Sequence, residues 1–164
     1  MNKAVDSKNR LISISLEEVG IFKEGKLDVE GLRSAAGQIA RLVKRGFRII
    51  IVVGGGSLGE EYSRIAIKFS KGRQKSEVKR RAAEANSFLL IAAMRNLGVA
   101  VNSDPVTDMR RVEDFLSNSS WSVAVIANQE EERRSSIVAS QLSKKYHMAL
   151  IHVATTKEAI DRAI

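Results

Sequence analysis

The chain alternates short runs of β-branched residues with longer segments in which apolar residues recur every three or four positions. Such alternation is typical of a mainly parallel β-sheet covered by helices. The runs predicted to be strands are Leu11 to Leu16, Arg48 to Val53, Val99 to Asn102, Ser122 to Ala127 and Met148 to Val153. The second run is apolar without interruption from Ile49, as expected of a strand that is covered on both faces. The pattern therefore predicts one α/β domain over residues 1–164.

Helical periodicity fills the segments between the predicted strands. Asp28 is expected to cap a first helix, which ends at Gly46. A helix from Ser57 to Phe69 and another from Val78 towards Gly98 are both expected to pack on the sheet. Further helices are predicted around Arg110 to Leu116, over Glu131 to Lys145, and from Thr155 to Ile164.

Composition narrows the classes of function. The 164 residues include no cysteine, which excludes disulfide frameworks, thiolate nucleophiles and cysteine-ligated zinc. The segment Met1 to Arg10 is polar and no apolar run approaches bilayer length, so the sequence predicts a cytoplasmic protein. The net charge of +8 would attract polyanions. The densest basic run, from Lys68 to Arg81, has few aromatic residues around it, which favours a solvated face over a nucleic-acid surface.

Three consecutive glycines, Gly54, Gly55 and Gly56, join the second predicted strand to the helix that follows. Glycine lets the backbone approach a phosphate, and a helix N-terminus offers unpaired N–H groups with a partial positive charge. The alternative is a tight turn without a ligand. Neither the Rossmann spacing nor the lysine-serine pair of a P-loop is present. We expect Gly54, Gly55, Gly56 and Ser57 to bind substrate.

Other candidate chemistry is sparse. His147 and His152 have no serine, cysteine or second histidine at a catalytic spacing, so both are expected to be structural. The acidic run Glu130 to Glu132 is interpreted as a charged helix start rather than a metal site. No catalytic residue and no metal ligand is predicted.

Three segments resemble the amino acid kinase superfamily, particularly archaeal-type uridylate kinases. Ile51 to Leu58, with Glu61 and Tyr62, resembles the family's acceptor-site strand and helix. The stretch Asn86 to Met94 is similar to its asparagine-containing helix, and Ile137 to Thr155 is similar to its next helix and strand. The resemblance implies the acceptor-side half of a carbamate-kinase-like α/β/α sandwich with three layers. It also implies phosphoryl transfer from ATP, with Mg²⁺, to a nucleoside monophosphate or small acid, in symmetric oligomers.

Several positions depart from the family's pattern. Its first basic residue, glycine pair and serine fall on Ser15, Glu17-Glu18 and Val19, and the basic residue after its glycine turn falls on Glu60. A carboxylate about 4 Å from a phosphate charge costs about 4 kcal/mol at an effective dielectric constant of about 20. The expected acidic residue falls on Ser76 or Glu77, and the threonine-threonine-aspartate motif reads Arg134-Ser135-Ser136. The comparison also leads us to expect that the family's C-terminal ATP-binding lobe is missing from this chain.

These observations support three hypotheses. The first is a catalytically impaired, uridylate-kinase-like protein that acts as a nucleotide-binding, phosphate-binding or association module. The second is an active kinase whose donor site is completed by a partner, and the third is a basic nucleic-acid-binding module. A homodimer or higher homo-oligomer is expected under the first two. The small residues thought to allow close helix contact are Ala82, Ala85, Ala92 and Ala93.

Overall fold

The computed structural model describes residues 10–16, 22–23, 26–69, 74–118, 120–129 and 134–153. Its main sheet has four parallel strands in the order β5-β4-β1-β6. A second, two-stranded antiparallel sheet pairs β2 with β3. The strands are β1 (Leu11–Leu16), β2 (Phe22–Lys23), β3 (Lys26–Leu27), β4 (Arg48–Val53), β5 (Val123–Ala127) and β6 (Ala149–Val153).

Helices cover both faces of the main sheet. They are α1 (Val29–Lys44), α2 (Gly56–Phe69), α3 (Gln74–Asn96), α4 (Arg110–Asn118) and α5 (Ser135–Tyr146). Alternate residues of β4 point to opposite faces, so that Ile51 packs with α1 and α3 while Ile50 packs with α4 and α5. The two clusters lie on opposite faces of the sheet and give the three-layer α/β/α sandwich that the family resemblance implied.

Local signals define the ends of α1 as expected. The Asp28 side chain accepts a hydrogen bond of 2.9 Å from the Gly31 amide, which caps the helix N-terminus. Gly46 has a φ of 87°, a left-handed conformation that glycine adopts without strain. At the end of α5, His147 takes a similar conformation with a φ of 53°. His147 therefore ends α5 through its backbone conformation. The side chain of His152 lies outside what the structure describes.

The predicted strand Val99 to Asn102 is wrong. Only single bridges form here, from Val101 to Val123 and from Val106 to Ile126. Between them, the Asn102 side chain accepts from the Val125 amide at 2.8 Å and donates to the Val125 carbonyl at 3.0 Å. A side-chain amide thus takes the place of a backbone peptide at the edge of β5.

The expectation that α2 packs on the sheet is also wrong, although α3 does so. Residues Gly55, Gly59 and Ser63 recur every four positions and form the surface that meets α3. A Cβ atom added to Gly59 would lie 3.4 Å from the Ala82 Cβ, so the absence of side chains allows the close approach. The larger apolar residues therefore point elsewhere, and Tyr62, Ile65 and Phe69 are 51%, 45% and 84% exposed.

Together, α2 and the first half of α3 project past the sheet. Asn86, in the middle of α3, contacts the turn that follows β4, and the residues after it, such as Leu90 and Met94, pack on the sheet. Residues 74–85 of α3, a length of about 18 Å at 1.5 Å per residue, therefore lie beyond the edge of the sheet at which β4 ends. We call α2 with residues 74–85 of α3 the projecting hairpin.

Several predicted features lie outside the described residues. They are Glu17, Glu18, Val19, the basic residues Lys71 and Arg73, the acidic run Glu130 to Glu132, and the helix from Thr155 to Ile164. Within the described ranges, no helix combines the length and apolar character needed to cross a bilayer.

Candidate functional site

The glycine turn lies at the carboxyl edge of the sheet, where all four parallel strands end. The Gly54 amide donates to the Leu16 carbonyl at 3.0 Å, and the Asn128 amide donates to the Val53 carbonyl at 2.9 Å. The ends of β1, β4 and β5 are thereby held together. Ligands of open α/β sheets bind outside this edge, because the loops and helix N-termini that follow the strands converge there.

The three glycines have different structural roles. The amide of Gly54 belongs to the sheet ladder and is not free for a ligand. Gly55 packs against α3, since a Cβ at this position would lie 3.0 Å from the Lys79 carbonyl oxygen. Gly56 begins α2 with a φ of 56°. Any anion at the turn would therefore meet the amides of the first turn of α2, which include that of Ser57, an exposed residue.

Asn86 fixes the turn from α3. Its Nδ2 donates to the Gly54 carbonyl at 3.0 Å and to the Gly55 carbonyl at 3.2 Å, and the residue is 5% exposed. Its Oδ1 is buried without a hydrogen-bond partner among the described residues. Because both carbonyls bind Asn86, the backbone conformation of the turn is fixed in the absence of a ligand.

The charge beside the turn differs from the sequence expectation. Glu60 was expected to place a negative charge where the family carries a basic residue, and its carboxylate lies 2.6 Å from the Lys79 ammonium of α3. The Lys79 side chain is 24% exposed and the Glu60 side chain 64% exposed, so water screens part of this pair. The first turn of α2 holds no acidic residue. The described part of the turn should therefore repel an anion less strongly than the sequence alone indicated.

The start of α5 gives a second set of amides on the same edge. Arg134 occupies the N-cap position and makes no side-chain capping bond. The hydroxyl of Ser135 is buried and, within the described ranges, has no hydrogen-bond partner. The first turn of α5 holds no acidic residue, so this end of the helix retains its partial positive charge.

Ion pairs offset much of the basic run on α3. Glu77 accepts hydrogen bonds from Arg80 and from Arg81, and these two guanidinium groups hold the pKa of the Glu77 carboxyl below its usual value. Arg81 also contacts Glu84 at 3.0 Å. Glu77, one of the two positions expected to carry the family's acidic residue, therefore forms ion pairs within α3. In the parts of the chain that the structure describes, no group of three or more histidine or acidic side chains forms a metal site.

Sequence reasoning located the turn but missed two residues that define it. Lys79 and Asn86 lie on α3, far along the chain from the groups they contact. A polar asparagine on an otherwise apolar helix face was a usable signal for Asn86. No local signal in the sequence pairs Lys79 with Glu60.

The fold of this chain is similar to those of solved uridylate kinases. The chain is similar in structure to the uridylate kinase of Archaeoglobus fulgidus, with a TM-score of 0.72 and 21% identity over 87% of this chain. It is also similar to the UMP kinases of Bacillus anthracis (TM-score 0.63, 17% identity, 89% of this chain) and Ureaplasma parvum (TM-score 0.65, 14% identity, 88% of this chain). It spans 63%, 64% and 68% of those three chains, respectively.

Among curated protein sequences, no significant match is found. The sequence pattern that defines the amino acid kinase family, however, matches residues 11–162, nearly the whole chain. The chain belongs to the amino acid kinase family.

Proposed function

We propose that this protein is a catalytically impaired relative of uridylate kinases that binds a nucleoside monophosphate, or a similar phosphate, at the turn Gly54 to Ser57. The observation that carries the proposal is the start of α2: a braced glycine turn that leads into a helix N-terminus without an acidic residue in its first turn. A helix N-terminus of this kind attracts anions through its amides and its dipole.

Two features support a binding role for this edge. The Glu60 carboxylate is paired with Lys79, which lessens its repulsion of an incoming phosphate. Across the edge, the buried Ser135 hydroxyl has no partner in the described parts of the chain and lies at a second helix N-terminus. The amides of Ser57 and its neighbours would contact the phosphate directly.

The proposed impairment rests on two positions at which this chain lacks the charged residue that the family uses in phosphoryl transfer. Glu60 stands where the family carries a basic residue, and the motif expected to end in an aspartate ends in Ser136. Transfer needs ATP, metal and acceptor in one preorganised electrostatic site, so the loss of these groups removes much of the rate. ATP and Mg²⁺ are therefore not proposed as cofactors of this chain.

Calorimetric titration tests the proposal. Nucleoside monophosphates are expected to bind, and a coupled assay for ADP with ATP, Mg²⁺ and each monophosphate is expected to give no turnover above background. Robust turnover would contradict the impairment, and absence of monophosphate binding would contradict the binding role.

A charge variant locates the site. Ser57→Asp places a carboxylate in the first turn of α2, where it stabilises the helix but repels a bound phosphate. Affinity should fall at least about tenfold, since a like charge about 4 Å away costs about 4 kcal/mol at an effective dielectric constant of about 20. The matched control is Ser120→Asp, an exposed serine ahead of β5 at the opposite edge, which should leave the affinity unchanged.

We also propose that the protein self-associates through α3 and resides in the cytoplasm. Ala82 is buried against α2, but Ala85 and Ala92 are exposed beside Phe88 and Leu89, which are 48% and 38% exposed. These four residues share one side of the helix and could pack against a second copy. Light scattering should give twice the 18.0 kDa mass of the chain, and Phe88→Glu should restore the monomer.

A further inference from the structure

One flank of α2 carries an apolar stripe. Its residues Leu58, Tyr62, Ile65 and Phe69 are separated by four, three and four positions, which is the spacing of a helix seam that packs against another helix. Tyr62, Ile65 and Phe69 are exposed, Phe69 by 84%. Single exposed apolar residues are common on protein surfaces, whereas a contiguous apolar patch marks an interaction site. The stripe therefore indicates a surface that a partner covers.

The stripe lies beside the surface through which α2 contacts α3. Gly55 packs against Ala82, and the Ser63 hydroxyl lies 3.5 Å from the Lys75 carbonyl oxygen, so the two helices run antiparallel. On α2, about a quarter turn around the helix axis leads from this contact to the stripe, and on α3 a quarter turn in the same sense leads to Ala85. Equal rotations on two antiparallel helices end on the same side of the pair. The stripe and Ala85 therefore face in the same direction.

The exposed apolar surface of α3 continues that of α2. Phe88 and Leu89 follow Ala85 on the exposed side of α3. The two helices thus share one apolar surface, which begins on the projecting hairpin and ends in the middle of α3. We call this surface the outer face, and its residues are Tyr62, Ile65, Phe69, Ala85, Phe88 and Leu89.

The area of the outer face is closer to the needs of a stable dimer than the area of α3 alone. A stable protein–protein interface buries about 800 Å² on each partner. Since a large aromatic side chain offers about 150–250 Å², Phe88 and Leu89 together expose on the order of 200 Å². By the same reasoning, the exposed side chains of the stripe add roughly 300–400 Å². The stripe therefore supplies more apolar area than the α3 residues do.

We propose that a second copy of this chain covers the stripe on α2 as well as the exposed side of α3, so that two outer faces pack together. The proposal rests on the self-association through α3 proposed above, and it adds α2 to that interface. A two-fold axis near Phe88 and Leu89 pairs the two α3 helices antiparallel. About 21 Å of α3 precedes Phe88 and only about 11 Å follows Leu89. Each projecting hairpin therefore extends past the end of the other copy's α3, where Leu97 is 44% exposed.

The charged side of α2 favours a protein partner over a bilayer. It exposes Glu60 and Glu61 as well as Arg64 and Lys68. A helix that lies on an anionic membrane is rich in lysine and arginine on its polar side, and carboxylates there would be repelled by the lipid headgroups. The mixture of charges on α2 is instead typical of a helix surface in contact with water and protein.

The substitution Ile65→Glu tests the proposal, and Ile67→Glu is the matched control. Ile65 and Ile67 are 45% and 50% exposed on opposite flanks of the same helix, and only Ile65 belongs to the stripe. Sedimentation velocity over a dilution series gives the dimer dissociation constant, and thermal melting establishes that each variant is folded. Ile65→Glu should raise the dissociation constant at least about tenfold, because the carboxylate enters the interface from both copies. The control should change it less than about twofold.

Thiol reactivity gives a second measurement that does not depend on weakening the dimer. The chain contains no cysteine, so a single introduced thiol reports on its own position. The Ile65→Cys and Ile67→Cys variants are each treated with a chromogenic disulfide reagent, at protein concentrations below and above the dimer dissociation constant. Association should slow the reaction of the Ile65→Cys variant and leave that of the Ile67→Cys variant unchanged.

The outcomes separate the role of α2 from self-association as such. If Phe88→Glu gives a monomer while Ile65→Glu dimerises like the native chain, α2 lies outside the interface and the proposal is overturned, although self-association through α3 stands. A native chain that stays monomeric at every concentration would overturn both. Equal effects of Ile65→Glu and Ile67→Glu would also overturn the proposal, as would binding of the stripe to vesicles of anionic lipid by a chain that does not self-associate.

Discussion

Replacement of Gly55 by alanine tests whether this glycine serves helix packing. Its φ is not positive, so alanine can adopt the same backbone conformation. The added Cβ would, however, lie 3.0 Å from the Lys79 carbonyl oxygen and 3.5 Å from the Ala82 Cβ. The first contact is closer than ordinary van der Waals packing, and its partner is backbone, which cannot rotate away. Separation of α2 from α3 is the expected response.

The size of the effect follows from two opposing contributions. Overpacking of a closely packed contact costs about 1–3 kcal/mol. The smaller conformational freedom of alanine in the unfolded chain returns about 0.4–1 kcal/mol. We therefore expect the free energy of unfolding to fall by about 1–2 kcal/mol, and the melting temperature by about 2–4 °C for each kcal/mol.

Gly37→Ala is the matched control. Gly37 lies inside α1, and a Cβ there would meet only the end of the flexible Arg41 side chain, at 3.7 Å. Alanine in a helix interior is better than glycine by about 0.5–1 kcal/mol, so this variant should melt above the native protein. Urea denaturation gives both free energies. The packing role of Gly55 is refuted if its alanine variant is as stable as that of Gly37.

Three further predictions concern other parts of the fold. Asn102→Leu should lower the free energy of unfolding in urea by about 1–3 kcal/mol, because the Val125 amide loses its acceptor whereas the Val125 carbonyl keeps its hydrogen bond from the Val106 amide, and an unchanged value would contradict this role of the side chain. Gly98 has a φ of 73° with nothing within 4 Å of an added Cβ, so Gly98→Ala should cost about 1–2 kcal/mol through backbone strain alone, and a neutral result would contradict that strain. Hydrogen bonds from Lys145 and a neighbouring tyrosine lower the pKa of Glu113 from 4.5. The stabilisation is therefore present above pH 4.5 and lost as the pH falls through the lowered pKa, so melting curves of Glu113→Gln should lie below those of the native protein at pH 7 and converge with them in acid.

The sequence predicted best those features whose cause is local. Asp28 and Gly46 mark the ends of α1 because a cap and a left-handed residue act within one turn of the helix. The uninterrupted apolar run of β4 likewise indicated burial on both faces. The predicted strand Val99 to Asn102 was wrong because strand propensity cannot show that an asparagine side chain replaces the backbone bonds.

The error at α2 has a different cause. Its periodicity showed an apolar face, but periodicity does not show whether anything covers that face. The spacing of Gly55, Gly59 and Ser63 was the usable signal, because small residues four positions apart allow two helices to approach closely. At the candidate site, the turn was visible in the sequence, whereas the pair between Glu60 and Lys79 depends on how two helices meet.

The projecting hairpin has a consequence for amide hydrogen exchange. Because α2 packs mainly on α3 rather than on the sheet, its opening disrupts fewer buried contacts than opening of β4. Its amides should therefore exchange with deuterium faster than those of the central strands. A ligand that fastens the turn at Gly56 would slow this exchange over the whole length of α2. Occupancy of a few backbone amides in the first turn of α2 would then be detected in the later turns of the helix, which the ligand does not contact.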